Sequence, residues 1–544
     1  MLAPFGAAFL QRDPQAFGIL RRDFRNEADR IATVQQAAQR RISPELASAL
    51  RVQNQRLRPS PSRQQHLDQL CEPGPSGTAV VVTGQQVGLF LGPLYTVYKA
   101  ATAIATAKQL SHESGIPCVP LFWLQTEDHD FAEIDHCFVP VEGKPPLRLQ
   151  LAPSDPSLAR TSVAHRTLGP SVIDLLDRLD AELASLPYAA SLLASLRRTH
   201  RPETTPSDAF SSFLGELFEK EGLLVLDPRH PQSPQVARLA LPLYRFALVE
   251  EKTISTALVT RAEQLQQRGF SCQIPVRPDV SLLFHHLHDV TGPRYRLERP
   301  AWSVPDSRHD KLRLSESELL SLMDREPWRF SSSALLRPLI QDTLLPTAAY
   351  VGGPAELSYF AQLGPLYSLR ELPEPLVIPR ARFRCLQDNT LSWLRKLNLK
   401  ASDVEVPRAE LLRSHLLTQT DQPQPDALRA SILSDFAARL DELEAIDPAL
   451  RDPVRRARDT INRSISHAIE RYAHALTERN VTATQRIDRL QAFLFPNGAP
   501  QERVLSLPYF AAKWGPAGFV QALFSSLATD PPCADRQAVR ELWL

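Results

Sequence analysis

The sequence predicts an α/β protein with a parallel β-sheet core and a helical C-terminal region. Two short apolar runs at residues 79–83 and 118–123 flank a helical stretch at residues 93–110, which is the pattern of a β-α-β unit with parallel strands. The order strand, helix, strand returns over residues 347–379. From about Asp426 onward, apolar residues recur at helical spacing among many charges, which favours two long antiparallel helices in a coiled coil.

The first β-α-β unit has the sharpest pattern. Residues 79–83 read Ala-Val-Val-Val-Thr and are followed by Gly84, which is typical of a strand buried on both faces. Pro93 suits the first turn of the helix that follows. Residues 118–123, Cys-Val-Pro-Leu-Phe-Trp, are the second strand candidate. In the later unit, the strands are expected at residues 347–351 and 376–379, around a helix at residues 355–369.

Inserted material separates the two units. It is predicted to contain helices at residues 172–186, 210–221 and 234–268, a buried core strand at residues 223–227, and strands within residues 272–300 with a hairpin around residues 289–293. The whole chain therefore divides into an N-terminal helical segment that packs on the core (1–70), the first part of the core (71–139), connecting segments (140–335), the second part of the core (336–385), a helical coiled-coil domain (386–495) and a C-terminal segment that returns to the core (496–544).

The bulk composition excludes several classes of protein. The 544 residues carry a net charge of +1, so no excess of positive charge points to nucleic acid or to an anionic membrane. No apolar run approaches the roughly 20 residues that span a bilayer. The N-terminus lacks the basic region of a signal peptide, and the six cysteines form no C-x-x-C pair. We therefore expect a cytoplasmic protein without a zinc site.

Polar side chains follow four of the predicted strands. They are the loop at residues 83–99, the acidic run at residues 127–130, the residues from Gly352 to Tyr359, and Arg380. Because ligands of open α/β sheets bind at the carboxyl ends of parallel strands, we expect these side chains to share one cleft.

The loop after the first strand carries glycines at positions 84, 88 and 92, which let the backbone approach a ligand closely. Gln85 and Gln86 offer donors and acceptors for hydroxyls or carboxylates. The spacing matches neither a dinucleotide-binding fingerprint nor a phosphate-binding P-loop. A tight turn that only packs the helix is the alternative interpretation, and Lys99 either reaches an anionic ligand or is solvated.

Glu127-Asp128-His129-Asp130 places three carboxylates and an imidazole in four consecutive residues. Such a cluster suits general acid/base chemistry or the binding of an ammonium group or sugar hydroxyls. A metal site and a charged surface loop are the alternatives. The run His285-His286-Leu287-His288 is interpreted as a polar hairpin face rather than a metal site. Arg337 and Arg380 are candidate carboxylate clamps or, equally, structural ion pairs.

These motifs resemble a known family. The segments at residues 83–99 and 120–133, with Arg337-Pro338, Gly353-Pro354, Pro379-Arg380 and the run at residues 496–503, are similar in residues and order to the cysteine ligases of bacillithiol biosynthesis. The resemblance implies a Rossmann-like core interrupted by connecting segments, and a coiled-coil domain that mediates a homodimer. It also implies a core like that of class I aminoacyl-tRNA synthetases, although their two signature motifs are absent here.

The resemblance implies that cysteine is joined through its carboxyl group to the amine of glucosaminyl malate, the last step of bacillithiol synthesis, and that ATP or ADP is the nucleotide involved. An amine nucleophile needs a base, which we assign to Asp128 or His129. Malate offers carboxylates to Arg337, Arg380 or Lys99, while Gln85, Gln86 and Asp130 suit sugar hydroxyls. The predicted catalytic residues are Glu127, Asp128 and His129, the predicted substrate-binding residues are Gln85, Gln86, Tyr95, Lys99, Asp130, Arg337, Glu356, Tyr359 and Arg380, and no metal ligand is predicted.

Three other functions stay open at this point. The core also suits a nucleotidyltransferase-like or other amide-forming enzyme that acts on a related amino sugar. A non-enzymatic coiled-coil dimer that binds a metabolite is the second alternative. It is disfavoured because burying polar groups at four strand ends without a ligand would cost free energy. A metal-dependent hydrolase built on the Asp-His-Asp cluster is the third.

Overall fold

The protein is described from a computed structural model, which covers residues 2–141, 144–153, 155–298, 302–304, 312–418, 425–534 and 538–543. The last two residues of the predicted strand region, 299 and 300, lie outside the described part. Within these residues, no helix is both long and apolar enough to cross a membrane.

A five-stranded parallel sheet forms the centre of the protein, which confirms the predicted fold class. Its strands are β1 (Ala79–Gln85), β2 (Cys118–Leu124), β3 (Leu224–Leu226), β4 (Thr347–Gly352) and β5 (Leu376–Pro379). They lie in the order β5-β4-β1-β2-β3, and every adjacent pair is parallel. Val82 of the central strand β1 pairs with Leu121 on one side and Tyr350 on the other, and all three are fully buried. Helices cover both faces of such a sheet, which explains the unbroken apolar runs.

Two helices connect the core strands. Helix α1 (Tyr95–Ser114) joins β1 to β2, and Gly115 ends it in the left-handed conformation with φ of 69°. Helix α2 (Pro354–Leu369) joins β4 to β5, with Pro354 in its first turn. Both helices start at the carboxyl end of a core strand, so their amino ends face the same edge of the sheet.

N-terminal helices pack on the core and close one edge of the sheet. The longer helices of this segment are Glu27–Ala38, Pro44–Gln55 and Pro61–Cys71, preceded by Phe5–Leu10. The side-chain amide of Asn54 donates to the carbonyl of Val225 (2.8 Å) and accepts from its N–H (2.9 Å), as a neighbouring strand would. Gln53 bonds the backbone of Asp227 in the same way. These contacts satisfy the free edge of β3.

The connecting region is more elaborate than the sequence predicted. Its helices are Ser171–Leu183, Ala189–Thr199, Pro206–Leu217, Gln235–Leu239, Leu241–Val249, Glu251–Gln267 and Glu316–Arg325. Helix Arg337–Leu344 follows in the second part of the core and leads into β4. Strands His136–Val141 and Lys144–Gln150 form an antiparallel hairpin that was not predicted. Its prolines and charges hide the alternating pattern of a strand.

A second sheet, antiparallel and five-stranded, belongs to the connecting region. Along the sheet its strands are Leu312–Arg313, Ser303–Val304, Arg294–Glu298, Val280–His286 and Phe330–Ser332. The predicted hairpin is confirmed, because Val280–His286 pairs with Arg294–Glu298. This antiparallel sheet stands beside the carboxyl end of β2, where it contributes to the site described below.

The C-terminal region is helical and then returns to the core. The chain reverses direction near Pro448, between the two long helices Pro425–Ile446 and Arg451–Arg479. These helices pack against each other, as predicted for a coiled coil. Helices Asp388–Leu397, Arg408–Thr418 and Val481–Leu494 form their base. The tail beyond residue 496 has helices Gln501–Val504, Leu507–Trp514 and Pro516–Thr529 and a final strand, Val539–Trp543, parallel to Arg382–Leu386.

Candidate active site

A polar cleft of about 300 Å³ opens at the carboxyl ends of β1, β2, β4 and β5. Nine of the predicted site residues line it: Gln85, Tyr95, Lys99, Glu127, Asp128, Arg337, Glu356, Tyr359 and Arg380. Gln125, Arg294, Ser332, Ser333 and Arg503 line it as well and were not predicted. The four strand ends therefore meet in one space, as expected from the sequence.

Lys99 and Glu356 form a buried ion pair across the floor of the cleft. The Lys99 ammonium donates to the Gly84 carbonyl (2.8 Å), to Gln85 Oε1 (3.0 Å) and to Glu356 Oε2 (2.5 Å). Glu356 also accepts from the N–H of Gly353 (2.8 Å) and the hydroxyl of Tyr350 (2.6 Å). Burial opposes the charge of Glu356, but Lys99 and the Gly353 N–H keep its pKa below the ordinary value. With all three protons engaged, Lys99 is a structural cation of the loop rather than a solvated one.

Arg337 is a buried guanidinium with neutral partners. Its Nη2 donates to the Tyr359 hydroxyl (2.6 Å), its Nη1 donates to Gln341 Oε1 (3.3 Å), and its charge lies 5.6 Å from the centre of the Tyr350 ring. Within the described residues, no carboxylate lies in ion-pair distance of Arg337. A buried cation at a cleft whose hydrogen-bond partners are all neutral is suited to an anionic ligand.

Arg380, the other predicted clamp, is already paired. Its two terminal nitrogens bond the two carboxylate oxygens of Glu502 at 2.8 and 2.7 Å, and both side chains are 4% exposed. The guanidinium also lies 5.5 Å from the centre of the Tyr95 ring. This bidentate geometry favours the structural alternative for Arg380, and it fastens the tail to the end of β5.

Replacing Arg380 by glutamine is expected to lower the free energy of unfolding by about 3–5 kcal/mol, because Glu502 keeps a buried charge without its cation. Burial alone would raise the pKa of Glu502, but Arg380 and Arg382 hold it below the ordinary value of 4.5. The loss is therefore full above pH 4.5 and shrinks as the pH falls through the lower pKa of the folded carboxyl. Urea titrations at both ends of this range measure it.

Arg382 supplies the matched control, since its Nε lies 3.2 Å from the same Glu502 oxygen but its side chain is 36% exposed. Arg382→Gln should lower the free energy of unfolding by about 1 kcal/mol or less. Equal losses in the two variants would show that Glu502 does not depend on Arg380.

The acidic run after β2 forms the opposite wall. Glu127 accepts from the N–H of Ser332 (3.3 Å) and from its hydroxyl. Asp128 Oδ1 accepts from the N–H of His129 (2.7 Å) and lies 3.4 Å from His129 Nδ1 and 3.5 Å from Arg294 Nη1. Burial acts to raise the pKa of Asp128, yet the contacts with His129 and Arg294 lower it well below the ordinary value. Asp128 is thus a fixed negative charge at neutral pH.

Three predicted residues lie outside the set that lines the cleft. Gln86 bonds Glu133 on the surface, and Asp130 is exposed beside Arg166. His129 lies behind Asp128, with a side chain that is 28% exposed. Across the described residues, no group of three or more His, Cys, Asp or Glu is arranged to hold a metal ion.

Arg294 and Ser332 were missed because they come from the antiparallel sheet, more than 160 residues after the acidic run. The sequence around Arg294 carries no catalytic motif, and only the hairpin prediction placed a strand there. Gln125 lacked a pattern of its own, although it directly follows β2. Arg503 ends the run at residues 496–503 that supports the family resemblance, but nothing in that run placed it at the site.

A larger cavity of about 770 Å³ lies on the other side of Leu124, which lines both spaces. Arginines and acids alternate around it and pair with each other, as Arg198 does with Glu216 (2.6 Å) and Arg56 with Asp208 (3.2 Å). Most of these charges satisfy one another, while Asp227 keeps a buried Oδ2 without a hydrogen-bond partner among the described residues. The smaller cleft gathers the polar residues of four strand ends and is therefore the better candidate for the active site.

The chain matches two family models along most of its length. The model described as "Bacillithiol biosynthesis BshC, N-terminal Rossmann-like domain" matches residues 4–381, and the model described as "Bacillithiol biosynthesis BshC, C-terminal coiled-coil domain" matches residues 383–529.

Curated relatives are similar over nearly the same extent. The chain is 33% identical to the cysteine ligase BshC of Koribacter versatilis over 505 residues, which are 91% of this chain and 89% of that protein. It is 31% identical to the protein of the same name from Salinibacter ruber over 522 residues, 93% and 91% of the two chains. It is 34% identical to that of Solibacter usitatus over 475 residues, 86% and 84% of the two chains.

Proposed function

This chain belongs to the BshC family of bacillithiol biosynthesis, and from that membership we propose that it is a ligase that joins the carboxyl group of cysteine to the amine of glucosaminyl malate. The observation that carries the proposal is the match to both family models together with a polar cleft at four strand ends. Its relatives bear the name cysteine ligase.

The charges of the cleft support this acceptor substrate. Glucosaminyl malate presents two carboxylates, sugar hydroxyls and one amine. Arg337 has no carboxylate in ion-pair distance among the described residues, whereas Lys99 is paired with Glu356 and Arg380 with Glu502, so we assign a malate carboxylate to Arg337. The hydroxyls suit Gln85, whose Nε2 has the Tyr95 hydroxyl, at a long 3.3 Å, as its one partner among the described residues.

Amide formation needs an activated carboxyl group. The new C–N bond replaces a C–O bond of the cysteine carboxyl, the departing oxygen leaves with its activating group, and one amine proton passes to a base. A free carboxylate is a poor electrophile, so we propose that a nucleoside triphosphate such as ATP is the activating co-substrate. Arg337, whose hydrogen-bond partners are neutral, and Arg503, which lines the same cleft, match the charge of a phosphate as well as that of a carboxylate.

We assign the base to His129 and not to Asp128. The low pKa of Asp128 makes it a weak proton acceptor. His129 Nδ1 lies 3.4 Å from Asp128 Oδ1 and 3.5 Å from Arg294 Nη1, so both contacts hold the imidazole at the acidic run. Glu127 is held by Ser332 on the cleft wall and is the remaining acid of the predicted catalytic set.

His129→Ala is therefore expected to lower kcat by about 100-fold or more, and free imidazole in the buffer should restore part of the activity. Asp128→Asn should lower kcat without any response to imidazole. Steady-state assays of cysteine addition with both variants measure this. If His129→Ala kept full activity, or if imidazole restored only Asp128→Asn, His129 would not be the base.

The reaction itself is tested with purified protein, cysteine, glucosaminyl malate and ATP, followed by mass spectrometry of the thiol product. We expect product only when all three substrates are present. In a strain without this chain, glucosaminyl malate should accumulate and bacillithiol should disappear. A strain that keeps its bacillithiol would contradict the proposal, and product formed from other amino sugars alone would identify a related amide-forming enzyme.

We also propose a homodimer formed through the two long helices. Three large apolar side chains of Pro425–Ile446 are exposed, namely Phe436, Leu443 and Ile446. An apolar helix face without a cover favours association with a second copy. Light scattering of a Phe436→Glu, Leu443→Glu variant should give the mass of a monomer, and an unchanged dimer would rule out this face.

We propose the cytoplasm as the site of action. All six cysteines are free thiols, four of them buried, as expected for a reducing compartment. Fractionation of cells that carry a tagged chain tests this, and recovery outside the cytoplasm would contradict it.

A further inference from the structure

Two buried residues of the antiparallel sheet lie behind Arg294 and make no contact with the cleft. His286 pairs with Arg294 across adjacent strands, and Ser331 lies on the strand at the other side of Val280–His286. Both His286 and Ser331 are fully buried. We propose that His286 and Ser331 are positioning residues, which hold the guanidinium of Arg294 where it faces Asp128. This inference rests on the proposed function, because Asp128 and Arg294 belong to its active site.

Every side of the Arg294 guanidinium has a defined neighbour. Its Nε donates to Ser331 Oγ (2.9 Å) and its Nη2 donates to the Ser332 carbonyl (2.8 Å). Its Nη1 points to Asp128 Oδ1 and to His129 Nδ1, both at 3.5 Å. The plane lies 3.6 Å from the centre of the Phe284 ring. The hydrogen bonds to Ser331 Oγ and to the Ser332 carbonyl are shorter than the contact to Asp128. They therefore determine the position of the guanidinium charge.

The contact to Ser331 has a fixed direction. Since Ser331 Oγ accepts from Arg294 Nε, its own proton goes to His286 Nε2, 3.1 Å away. His286 Nε2 also accepts from Arg229 Nη2 (3.2 Å), so His286 is a neutral acceptor. Burial and the charges of Arg229 and Arg294 agree with this, because they lower the pKa of His286 far below its usual range. The donors therefore run one way, from Arg294 through Ser331 to His286.

His285 is a matched control on the same strand. It is equally buried, and its ring packs on Phe330 with centroids 5.2 Å apart. Its Nε2 meets Arg329 Nη2 (3.1 Å), so it points to the opposite side of the sheet and has no bond to Arg294 or Ser331. A loss of activity that comes from a destabilised strand should be equal for substitutions of His285 and of His286. A loss that comes from a displaced Arg294 guanidinium should appear only when His286 is replaced.

The test is a double-mutant cycle in the ligase assay. His286→Leu and Ser331→Ala should each lower kcat/KM by about 10- to 100-fold, because a displaced charge near reacting groups is costly. His286→Gln, whose amide oxygen can accept from Ser331, should restore most of the activity, and His285→Leu should leave kcat/KM unchanged. In an Arg294→Lys background, His286→Leu should have no further effect. An effect that persists in that background, or equal losses for His285→Leu and His286→Leu, would overturn the inference.

Crystal structures of the wild type and of Ser331→Ala give a measurement that needs no activity. We expect the Arg294 guanidinium to turn away from Asp128 in the variant, and an unmoved guanidinium would overturn the inference. If the wild type made no product, the proposed function would fail, while this comparison would still decide the role of Ser331.

Discussion

Replacing Lys99 by methionine is expected to lower the free energy of unfolding by about 3–5 kcal/mol and to abolish ligation. The variant leaves the buried Glu356 carboxylate without its cation and leaves the Gly84 carbonyl without a donor. Because Gly84 and Gln85 are the last two residues of β1, this end of the strand would lose its anchor at the cleft. Urea denaturation followed by the fluorescence of Trp123, which lines the cleft, measures the loss.

The control is the double variant Lys99→Met, Glu356→Gln, which removes both charges. It should recover at least half of the lost stability, because no uncompensated charge remains in the interior. It should stay inactive, since the Gly84 carbonyl and Gln85 still lack the ammonium. Recovery of activity in the double variant would mean that Lys99 serves only to neutralise Glu356.

Replacing Arg337 by glutamine is expected to raise KM for glucosaminyl malate by about 100-fold, since one charged hydrogen bond is worth about 1.5–3 kcal/mol. Stability should change by less than about 1 kcal/mol, because the partners Tyr359 and Gln341 are neutral and the amide can still bond them. The contrast with Arg380, where stability is expected to fall, separates a ligand-binding arginine from a structural one. Steady-state kinetics and urea titration of the same preparations measure both quantities.

Tyr359→Phe provides the control for Arg337. It removes the 2.6 Å hydrogen bond that orients the guanidinium but leaves the charge, so KM should rise by a smaller factor than in Arg337→Gln. If KM for glucosaminyl malate did not move in Arg337→Gln, this arginine would not bind the malate group.

The strands of the core were predictable because their signal is local. A run such as Ala79–Val82, apolar at every position, is buried on both faces of the sheet, and the polar residues that follow it must lie at the strand end. The same logic located Lys99, Asp128, Glu356 and Arg380 at the cleft. Local sequence patterns of this kind therefore predict both the strands of the core and the cleft residues that those strands contribute.

Partners far along the chain were not predictable. Arg380 could bind either a ligand or a carboxylate of the protein, and the answer depended on Glu502, which lies 122 residues later. In the same way, Asp128 contacts Arg294, which lies 166 residues later. The polar hairpin face predicted for His285 and His286 is wrong, because both faces of that strand are covered and both rings are fully buried. Alternation along a strand indicates two faces but does not show whether solvent reaches either of them.

The attachment of the tail has a consequence for how the protein is made. Arg380 meets Glu502, and Arg382–Leu386 meets Val539–Trp543, only after the intervening helices have been synthesised. While the ribosome is still translating the coiled coil, β5 has emerged but one wall of the cleft lacks its partner. The cleft is therefore completed late in biosynthesis, and a nascent chain that stops before residue 502 carries the cleft-lining residues of the core without the ion pair that holds the tail to β5.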